Sequence, residues 1–535
     1  MLSLKTCHNS EEGYILIVMV FAMLLLAVAA VGINRRAAMG TRMTANRLRS
    51  MQIYLGQRAA IEHTKWKLQQ DPSWRTSSSG EDYVFNGITY TRKVLDATIP
   101  CHGKFIEVSA AVLGGMQPIT KFLPLITVPS SGMALWCPNK AKGPELSTWD
   151  GSSFGTPSSS AEIGKFRIMA GAESPTAGAL GEIVVVGIDS DGDINAEIWN
   201  GFVWSELPFN PLNNNKVSET YWWGCDVAYE QLSGYAVLVY NNNTAGSLLQ
   251  YAVGNMYMWN SNMTVSVYSG SEPQHMHMAA KPGADEMVLV VNDVNADDYA
   301  LVWDGSDWGN AVLLDSSGTG EDDQTALYVA YEQQSRNAMV VYGKNNDAYG
   351  YYRIWNGASW GLEGIITPPF GVLTQARWLT LASDPNSNRI VLGVLTSGGD
   401  WLSVWDGTSW EAALVAETSE ASVVCPNIAV AFESQSGQAL ATYAQSGQSV
   451  VRYRTWNSCD GWSEEQNGPD IAATPNSMML DSDPASDHLM LSVQNSNSEL
   501  YCVLWNGSSW DIPSQQENDT GETKNQPFIF LYDQS

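Results

Sequence analysis

A short motif, Trp-Asp/Asn-Gly-x-x-Trp, recurs along the chain and constrains its fold more than any other feature. Four full copies begin at Trp303, Trp355, Trp405 and Trp505. Four looser copies begin at Trp149, Trp199, Trp259 and Trp456. The eight leading tryptophans stand 50, 60, 44, 52, 50, 51 and 49 residues apart. Repeats with a period near 50 residues are typical of β-propellers and related arrays.

Each copy of the motif predicts a tight hairpin turn. Asn-Gly and Asp-Gly supply the positive φ angles of such turns, and an aromatic residue on each side packs across the two strands. Apolar runs such as Ala236–Tyr240 and Met339–Tyr342 lie upstream of the turns. Four short strands in each repeat make one propeller blade. The repeats therefore predict a mainly β protein with an eight-bladed β-propeller over residues 132–535.

The repeats alternate between two kinds of opening strand, and the alternation predicts how the ring closes. One kind ends in an aromatic residue and an acid, as in Tyr229-Glu230, Tyr331-Glu332 and Phe432-Glu433. The other kind ends at a proline turn, at Pro175, Pro282, Pro385 and Pro484. The repeat at Trp149 lacks an opening strand, whereas residues 528–535 form an orphan strand of the first kind. We predict that this C-terminal strand completes the first blade, which leaves no large free sheet edge.

Charge is distributed unevenly between the two parts of the chain. Residues 1–128 contain 14 Lys and Arg against 8 Asp and Glu, a net of +6, whereas the remainder contains 14 against 48, a net of −34. Phosphate groups would be repelled by so acidic a domain. We therefore expect no nucleic-acid partner.

Six cysteines follow the N-terminal apolar segment: Cys101, Cys137, Cys225, Cys425, Cys459 and Cys502. An even number of cysteines outside the cytoplasm is consistent with disulfides, and buried free thiols are the alternative. Their spacing matches no metal-binding pattern and assigns no pairs.

The N-terminal region predicts a long helix that begins in a membrane. Residues 14–32 are apolar and uncharged, long enough to cross a bilayer, and helical sequence continues to about residue 70. We predict a leader over 1–13, a helix over 14–70, a small β region over 71–116 and a linker over 117–131. Within the β region, residues 83–91 predict a hairpin and residues 105–113 another strand. A plain membrane anchor with a stalk helix is the alternative for residues 14–70.

This N-terminal region resembles the type IV pilin class. Gly13 followed by Tyr14 matches the prepilin-peptidase cleavage site, and Arg42–Asn46 resembles a stretch of minor pilins of the PilX kind. The resemblance covers about residues 1–115. It implies cleavage before Tyr14, pilin or pseudopilin subunits and their assembly machinery as partners, and a place in the inner membrane before assembly into a filament at the cell surface or in the periplasm.

Two positions depart from the pilin pattern. The leader ends in Glu11 and Glu12 instead of basic residues, and Val18 stands at the fifth mature position. In the family that position is usually a glutamate, thought to pair with a neighbour's N-terminal amine. The pseudopilin that caps type II secretion pseudopili lacks it, so Val18 favours a position at the filament tip.

One loop has the pattern of a calcium site. Asp189, Asp191, Asp193, Asn195 and Glu197 place oxygen ligands on alternate positions around Gly192. The same segment lies where sister repeats carry an ordinary hairpin turn, and Asp and Gly favour turns. Calcium is the only cofactor that the sequence suggests, and a plain turn is the alternative.

Three further sets of residues are candidate functional sites. Glu230, Glu332, Glu433 and Asp533 end equivalent strands and would surround one channel mouth, as a cation or polar-ligand site or as ordinary turn acids. The repeated tryptophans could stack on sugars, or serve only as blade structure. His275 and His277 could bind a metal from one strand face, although no third ligand is evident.

No catalytic constellation is found, and we expect no enzyme. The sequence predicts a minor pilin-like or pseudopilin-like subunit that displays a β-propeller, at a filament tip, for adhesion, recognition or assembly priming. A surface glycan or protein is the expected ligand. The alternative is a membrane-anchored extracytoplasmic propeller that acts on or binds glycans.

Overall fold

The computed structural model describes residues 81–85, 88–95, 105–111 and 130–534, apart from 176–180, 215–222, 243–247, 317–325, 373, 419–424 and 524. The predicted helix over 14–70, its membrane span over 14–32, the Gly13–Tyr14 cleavage site and Val18 lie outside these residues. Within the described residues, no helix is long and apolar enough to span a membrane. The described strands belong to two compact units, β1–β3 in the first and β4–β36 in the second.

The first unit contains a three-stranded antiparallel sheet of β1 (Glu81–Phe85), β2 (Ile88–Leu95) and β3 (Phe105–Ala111). Phe85 pairs with Ile88 across the two-residue Asn-Gly connection, which favours a tight hairpin turn. The predicted hairpin over 83–91 and the predicted strand beginning at Phe105 are confirmed. Of the predicted strand 105–113, the described part is Phe105–Ala111.

The second unit is a ring of eight antiparallel blades, as the repeats predicted. Blades 1–4 contain β36 (Phe528–Tyr532), β4 (Gly132–Trp136), β5 (Glu145–Trp149) and β6 (Ser158–Ser159); β7 (Phe166–Glu173), β8 (Glu182–Asp189), β9 (Ile194–Asn200) and β10 (Trp204–Glu206); β11 (Cys225–Tyr229), β12 (Ala236–Asn241), β13 (Leu249–Asn255) and β14 (Met258–Thr264); β15 (Pro273–Ala280), β16 (Met287–Asp293), β17 (Asp298–Trp303) and β18 (Trp308–Asp315).

Blades 5–8 contain β19 (Leu327–Tyr331), β20 (Ala338–Tyr342), β21 (Gly350–Trp355) and β22 (Gly364–Ile366); β23 (Ala376–Ser383), β24 (Ile390–Thr396), β25 (Asp400–Trp405) and β26 (Leu414–Glu417); β27 (Ile428–Phe432), β28 (Ala439–Tyr443), β29 (Val450–Asn457), β30 (Gly461–Trp462) and β31 (Gln466–Asp470); β32 (Pro475–Ser482), β33 (Leu489–Asn495), β34 (Leu500–Trp505) and β35 (Ser514–Glu517). In blade 7, both β30 and β31 pair with β29.

The C-terminal strand closes the ring. β36 pairs with β4 from Phe528–Trp136 to Tyr532–Gly132, so the first strand of blade 1 comes from the end of the chain. The first strands of neighbouring blades contact one another all the way round, and β36 contacts both β32 and β7. The prediction of an eight-bladed propeller closed by the C-terminal strand is confirmed.

The two kinds of first strand differ in length. Those of the aromatic-acid kind, β11, β19, β27 and β36, have five residues each. Those of the proline kind, β7, β15, β23 and β32, have eight residues and a register shift near their start. The alternation in the sequence is therefore an alternation in blade geometry.

The core lies between the blades. Every residue of β12, β16, β24 and β33 is buried. A second strand packs against neighbouring blades on both of its faces, so both faces must be apolar. This explains why these strands are continuous apolar runs instead of alternating patterns.

The Trp-Asp-Gly motif builds the turn between the third and fourth strands. In blade 4, Asp304 Oδ1 accepts the backbone N–H groups of Ser306 at 2.8 Å and Asp307 at 3.0 Å, while Gly305 has a φ of 95°. The rings of Trp303 and Trp308 lie 5.6 Å apart across the turn, and both are buried. Burial leaves Trp303 and Trp308 no free ring face for a sugar, which favours the structural alternative in this blade. Trp199, Trp259 and Trp360 are only partly buried, so sugar stacking at other copies stays a prediction.

Buried acids connect neighbouring blades through this motif. The indole N–H groups of Trp303, Trp405 and Trp505 donate to Glu230, Glu332 and Glu433 of the preceding blades at 2.7, 2.6 and 2.7 Å. The second oxygen of each acid accepts a serine hydroxyl: Ser233, Ser335 and Ser436. We call each Trp–Glu pair an inter-blade clamp. Indole and hydroxyl donors engage both oxygens of these buried glutamates, so the structure does not support a polar-ligand site there. Their burial also departs from the alternative of turn acids that face water.

Removal of residues 526–535 should destabilise the whole propeller, because it exposes β4 and the face of β7. Tryptophan fluorescence reports this unit, since only Trp66 and Trp74 lie before it. Phe530→Ala should lower the free energy of unfolding by about 3–5 kcal/mol, since Phe530 is fully buried. Removal of residues 534–535 alone is the control and should change little. An unchanged unfolding midpoint after the longer truncation would contradict closure by β36.

A double-mutant cycle should measure the clamp between blades 5 and 6. Trp405→Phe should cost about 1–3 kcal/mol of unfolding free energy, because Glu332 then loses a donor while buried. Trp405→Phe and Glu332→Ala together should cost less than their sum, by about 0.5–3 kcal/mol. Trp410→Phe is the matched control, because the indole N–H of Trp410 has no hydrogen-bond partner among the described residues. Additive effects would show that the clamp contributes no coupling energy.

Candidate ligand site in the central channel

The first strands lie in register around the channel, and one repeated backbone hydrogen bond defines equivalent positions. In six blades, the residue directly after the first strand donates its backbone N–H to the carbonyl of the residue five positions later. These six donors are Glu230, Lys281, Glu332, Asp384, Glu433 and Asp483. In blades 1 and 2, Asp533 donates to Ser131 and Ser174 to Glu182. We call these eight the strand-end residues. The face of the ring on which they lie is the connector face, since residues 130–131 enter the ring there.

The residues four positions before each strand-end residue form one layer of the channel, the middle layer. They are Ile529, Ala170, Asp226, His277, Tyr328, Thr380, Ala429 and Met479, in blade order. All eight line a single cavity of about 450 Å³. The backbone position is the same in every blade, so the differences among the side chains are departures from the repeat.

The four polar residues of the middle layer occupy consecutive blades and form a connected arc. His277 Nδ1 lies 3.4 Å from Asp226 Oδ2, and the His277 ring stacks on Tyr328 with ring centroids 3.8 Å apart. Tyr328 forms a side-chain hydrogen bond with Thr380, and burial raises the pKa of the Tyr328 hydroxyl. We call Asp226, His277, Tyr328 and Thr380 the polar arc. The opposite half of the layer is apolar.

Asp226 is held by the backbone as well as by the arc. Its Oδ1 accepts the N–H of Val227 at 2.8 Å, and its Oδ2 accepts the N–H of Met278 at 2.6 Å. These bonds fix a carboxylate at the centre of a largely apolar channel. Such a group is costly to bury without compensation, and a charged partner lowers that cost.

The layer nearer the connector face is built mainly of alanine. Two positions before the strand-end residues stand Leu531, Ala172, Ala228, Ala279, Ala330, Ala382, Ala431 and Asp481. Side chains from eight strands converge near the axis, and small ones leave the channel open. Asp481 is the acid of this layer, and we call the layer the alanine ring.

The opposite end of the channel is aromatic. Trp378 contacts Trp223 at 5.7 Å and His275 at 6.0 Å between ring centroids. His275 is buried, whereas His277 is part of the polar arc. The predicted His275–His277 metal pair is not supported, because the two residues lie in different layers and, within the described residues, no group of three or more His, Cys, Asp or Glu is placed to hold a metal.

Carboxyl groups gather where the ring closes. Burial and the adjacent Asp533 raise the pKa of Glu173 to about 8. Burial raises the pKa of Asp481 to about 7, although Asp481 also accepts hydrogen bonds from the backbone of Tyr532 and Ser482. Asp533 accepts the Ser131 hydroxyl at 3.1 Å. Of the four acids predicted at the channel mouth, Asp533 is the one that belongs to this group of carboxyls, where it lies next to Glu173.

The predicted calcium loop forms the turn between β8 and β9. Asp189 Oδ1 accepts the N–H groups of Asp191 at 2.8 Å and Asp193 at 3.0 Å, and its Oδ2 accepts the Asn195 amide at 3.2 Å. Glu197 accepts the N–H of Ala161 at 3.0 Å, and burial raises its pKa to about 7.

Sister blades use the same turn. Asp293 accepts N–H groups at 2.8 and 3.1 Å, and Asn495 at 2.9 and 3.1 Å. The geometry favours the plain-turn alternative, and calcium at Asp189, Asp191, Asp193, Asn195 and Glu197 stays a prediction.

Cys137, Cys225 and Cys502 are free and buried, and Cys425 is buried with its thiol 3.8 Å from the carbonyl oxygen of Thr523. Burial raises the pKa of Cys502 to about 12. These thiols therefore behave as small apolar core residues. Cys101 lies outside the described residues.

The propeller should become less stable as pH rises from about 4.5 to about 8. A carboxyl whose pKa is higher in the folded chain binds more protons in the folded state, so stability is present at low pH and is lost as pH passes the folded pKa. Glu173, Asp481, Glu197 and Glu433 have pKa values raised to about 8, 7, 7 and 7. Unfolding midpoints measured across this range should fall, and Glu173→Gln should flatten the decline. A midpoint that rises with pH would contradict the assignment.

Comparison with known proteins does not identify a family for this chain. No family model matches the chain, and no curated protein matches it. The BP39L lectin from Burkholderia pseudomallei is 11% identical, with 65% of this chain and 99% of that chain covered and a TM-score of 0.46. AofleA from Arthrobotrys oligospora is 12% identical, with 68% and 88% covered and a TM-score of 0.38.

The fucose-recognising lectin of Aleuria aurantia is 14% identical, with 66% of this chain and 96% of that chain covered and a TM-score of 0.35. That lectin is a six-bladed propeller, whereas the ring here has eight blades. A likeness of this extent carries no argument about a ligand.

Proposed function

We propose that this chain is a minor pilin-like or pseudopilin-like subunit that displays its propeller at a filament tip for recognition, adhesion or assembly priming. Support for the anchor comes from the apolar segment 14–32 and the Gly13-Tyr14 site in the sequence. Support for display comes from the way the ring closes. Blade 1 contains both the strand at which the chain enters the ring, β4, and the strand that closes the ring, β36.

Closure of the ring in blade 1 is the main structural support for the proposal. Asp533 donates its N–H to the carbonyl of Ser131 at 2.8 Å, and Ser130 donates its N–H to Asp483 Oδ2 at 3.0 Å. The ring is therefore complete without any strand from residues before 130. A self-contained domain of this kind suits display on a single linker.

Size favours a terminal place in a filament. About 400 residues in one compact domain have a radius of gyration of about 22 Å. Pilin helices pack side by side, so a body of this width on every subunit would collide with its neighbours. Val18, in place of the usual glutamate, removes the carboxylate with which family members are thought to dock under the next subunit.

The test compares the wild-type chain with Gly13→Val in cells. N-terminal sequencing of the wild-type mature protein should begin at Tyr14, and Gly13→Val should retain the leader. Antibody against the propeller should mark one end of each filament, or its assembly complex at the membrane, in the wild type only. Val18→Glu is the matched control and should leave this pattern unchanged.

Two outcomes would overturn the proposal. A mature N-terminus near residue 32 would indicate ordinary signal-peptide secretion. Labelling along the whole filament shaft would contradict the placement at the tip.

A further inference from the structure

We propose that the central channel binds a linear aliphatic diamine, held between the carboxylates of Asp226 and Asp481. The inference deepens the proposed recognition function and rests on it, by naming the ligand class of the displayed propeller. Three features of the channel support this ligand class: its charge, the layers in which its acids lie, and its apolar walls.

The charge of the channel selects a cation. Asp226 and Asp481 both line the cavity, and among the described residues that line it none is lysine or arginine. An anionic ligand would therefore meet two carboxyl groups, and the nearest basic side chain, His277, is already engaged 3.4 Å from Asp226 Oδ2. An ammonium group would instead form charge-assisted hydrogen bonds, which are the stronger kind.

The two carboxylates are separated along the channel axis. Asp226 lies four positions before its strand-end residue, Glu230, whereas Asp481 lies two positions before its own, Asp483. A strand rises about 3.3 Å per residue, so the two levels differ by about 7 Å. One ammonium group cannot contact both acids directly across that separation, whereas a diamine with a chain of four or five carbons can.

The walls between the acids suit an aliphatic chain. Met479 and Ile529 belong to the apolar half of the middle layer, and Ala382 and Ala431 belong to the alanine ring. Burying methylene groups against such walls is favourable, because it removes apolar surface from water.

The polar arc adds an aromatic surface on the Asp226 side. The stacked His277 and Tyr328 rings lie beside the carboxylate, and aromatic faces attract organic cations. Asp481 lies in the alanine ring, nearer the connector face, where it would meet the second ammonium group. Burial already raises the pKa of Asp481 to about 7, so a neighbouring cation would stabilise its ionised form.

The test is calorimetric titration of the full chain, in non-ionic detergent, with 1,5-diaminopentane. Pentane-1,5-diol, which has the same carbon chain without charge, is the first control. The second control is the neutral sugar α-methyl-L-fucoside, which is present in a complex of the Aleuria aurantia lectin. The diamine should bind with one-to-one stoichiometry, and the diol and the fucoside should bind at least tenfold more weakly. No saturable diamine binding, or equal binding of the diol, would overturn the proposal.

Variants locate the site. Asp481→Asn and Asp226→Asn should each weaken diamine binding at least tenfold, and Ala382→Phe should abolish it by filling the channel. Glu464→Gln changes an exposed acid outside the channel and should have no effect. Tryptophan fluorescence melts of each variant separate lost binding from lost folding. Diamine binding that survives both Ala382→Phe and Asp481→Asn, in folded protein, would overturn the assignment to the channel.

This measurement is independent of the proposed place in a filament. Diamine binding in detergent requires neither leader cleavage nor assembly. A chain that binds the diamine but begins near residue 32 would retain the ligand assignment and lose the pilin-like role. A chain that is processed at Tyr14 but binds no diamine would retain the pilin-like role and lose the ligand assignment.

Discussion

Pairing of β36 with β4 is the interaction on which the rest of the propeller depends. It joins segments about 400 residues apart in the chain, and Ser131 and Asp533 form its edge at the connector face. The entropy cost of closing so long a loop grows only slowly with length, and burial of Phe528, Phe530 and Tyr532 offsets it. Without this pairing, blade 1 would lack its first strand and Ile529 would be missing from the middle layer of the channel.

The inter-blade clamps show how one motif satisfies both local and long-range demands. The Asp or Asn of the motif forms the turn, while the leading tryptophans Trp303, Trp405 and Trp505 each donate to a buried glutamate of the blade before. Each glutamate is buried, and burial without partners would cost several kcal/mol. Indole and serine donors remove most of that cost. Acids that repeat around a ring are therefore more informative about assembly of the ring than about ligands.

The candidate site arises where the repeat breaks. The middle layer uses one backbone position in eight blades, yet it combines a carboxylate, an imidazole, a phenol and a hydroxyl on one side with aliphatic residues on the other. A purely structural layer would need only small apolar side chains, as the alanines of the alanine ring illustrate. An amphipathic layer with a fixed carboxylate has the character of a recognition surface, because small-molecule sites combine apolar walls with a few placed polar groups.

The sequence by itself determined the number of blades, the hairpin over 83–91, the alternation of first strands and the closure by residues 528–532. These features depend on local turn chemistry and on periodic apolar strands, which leave a direct signal in the order of residues. Only the tertiary structure decided what Glu230, Glu332 and Glu433 do, since their indole partners lie 72 or 73 residues away. It also decided that Asp226, His277, Tyr328 and Thr380 meet, because they come from four different blades. Their proximity depends on the ring being closed and in register, and no spacing along one strand encodes that.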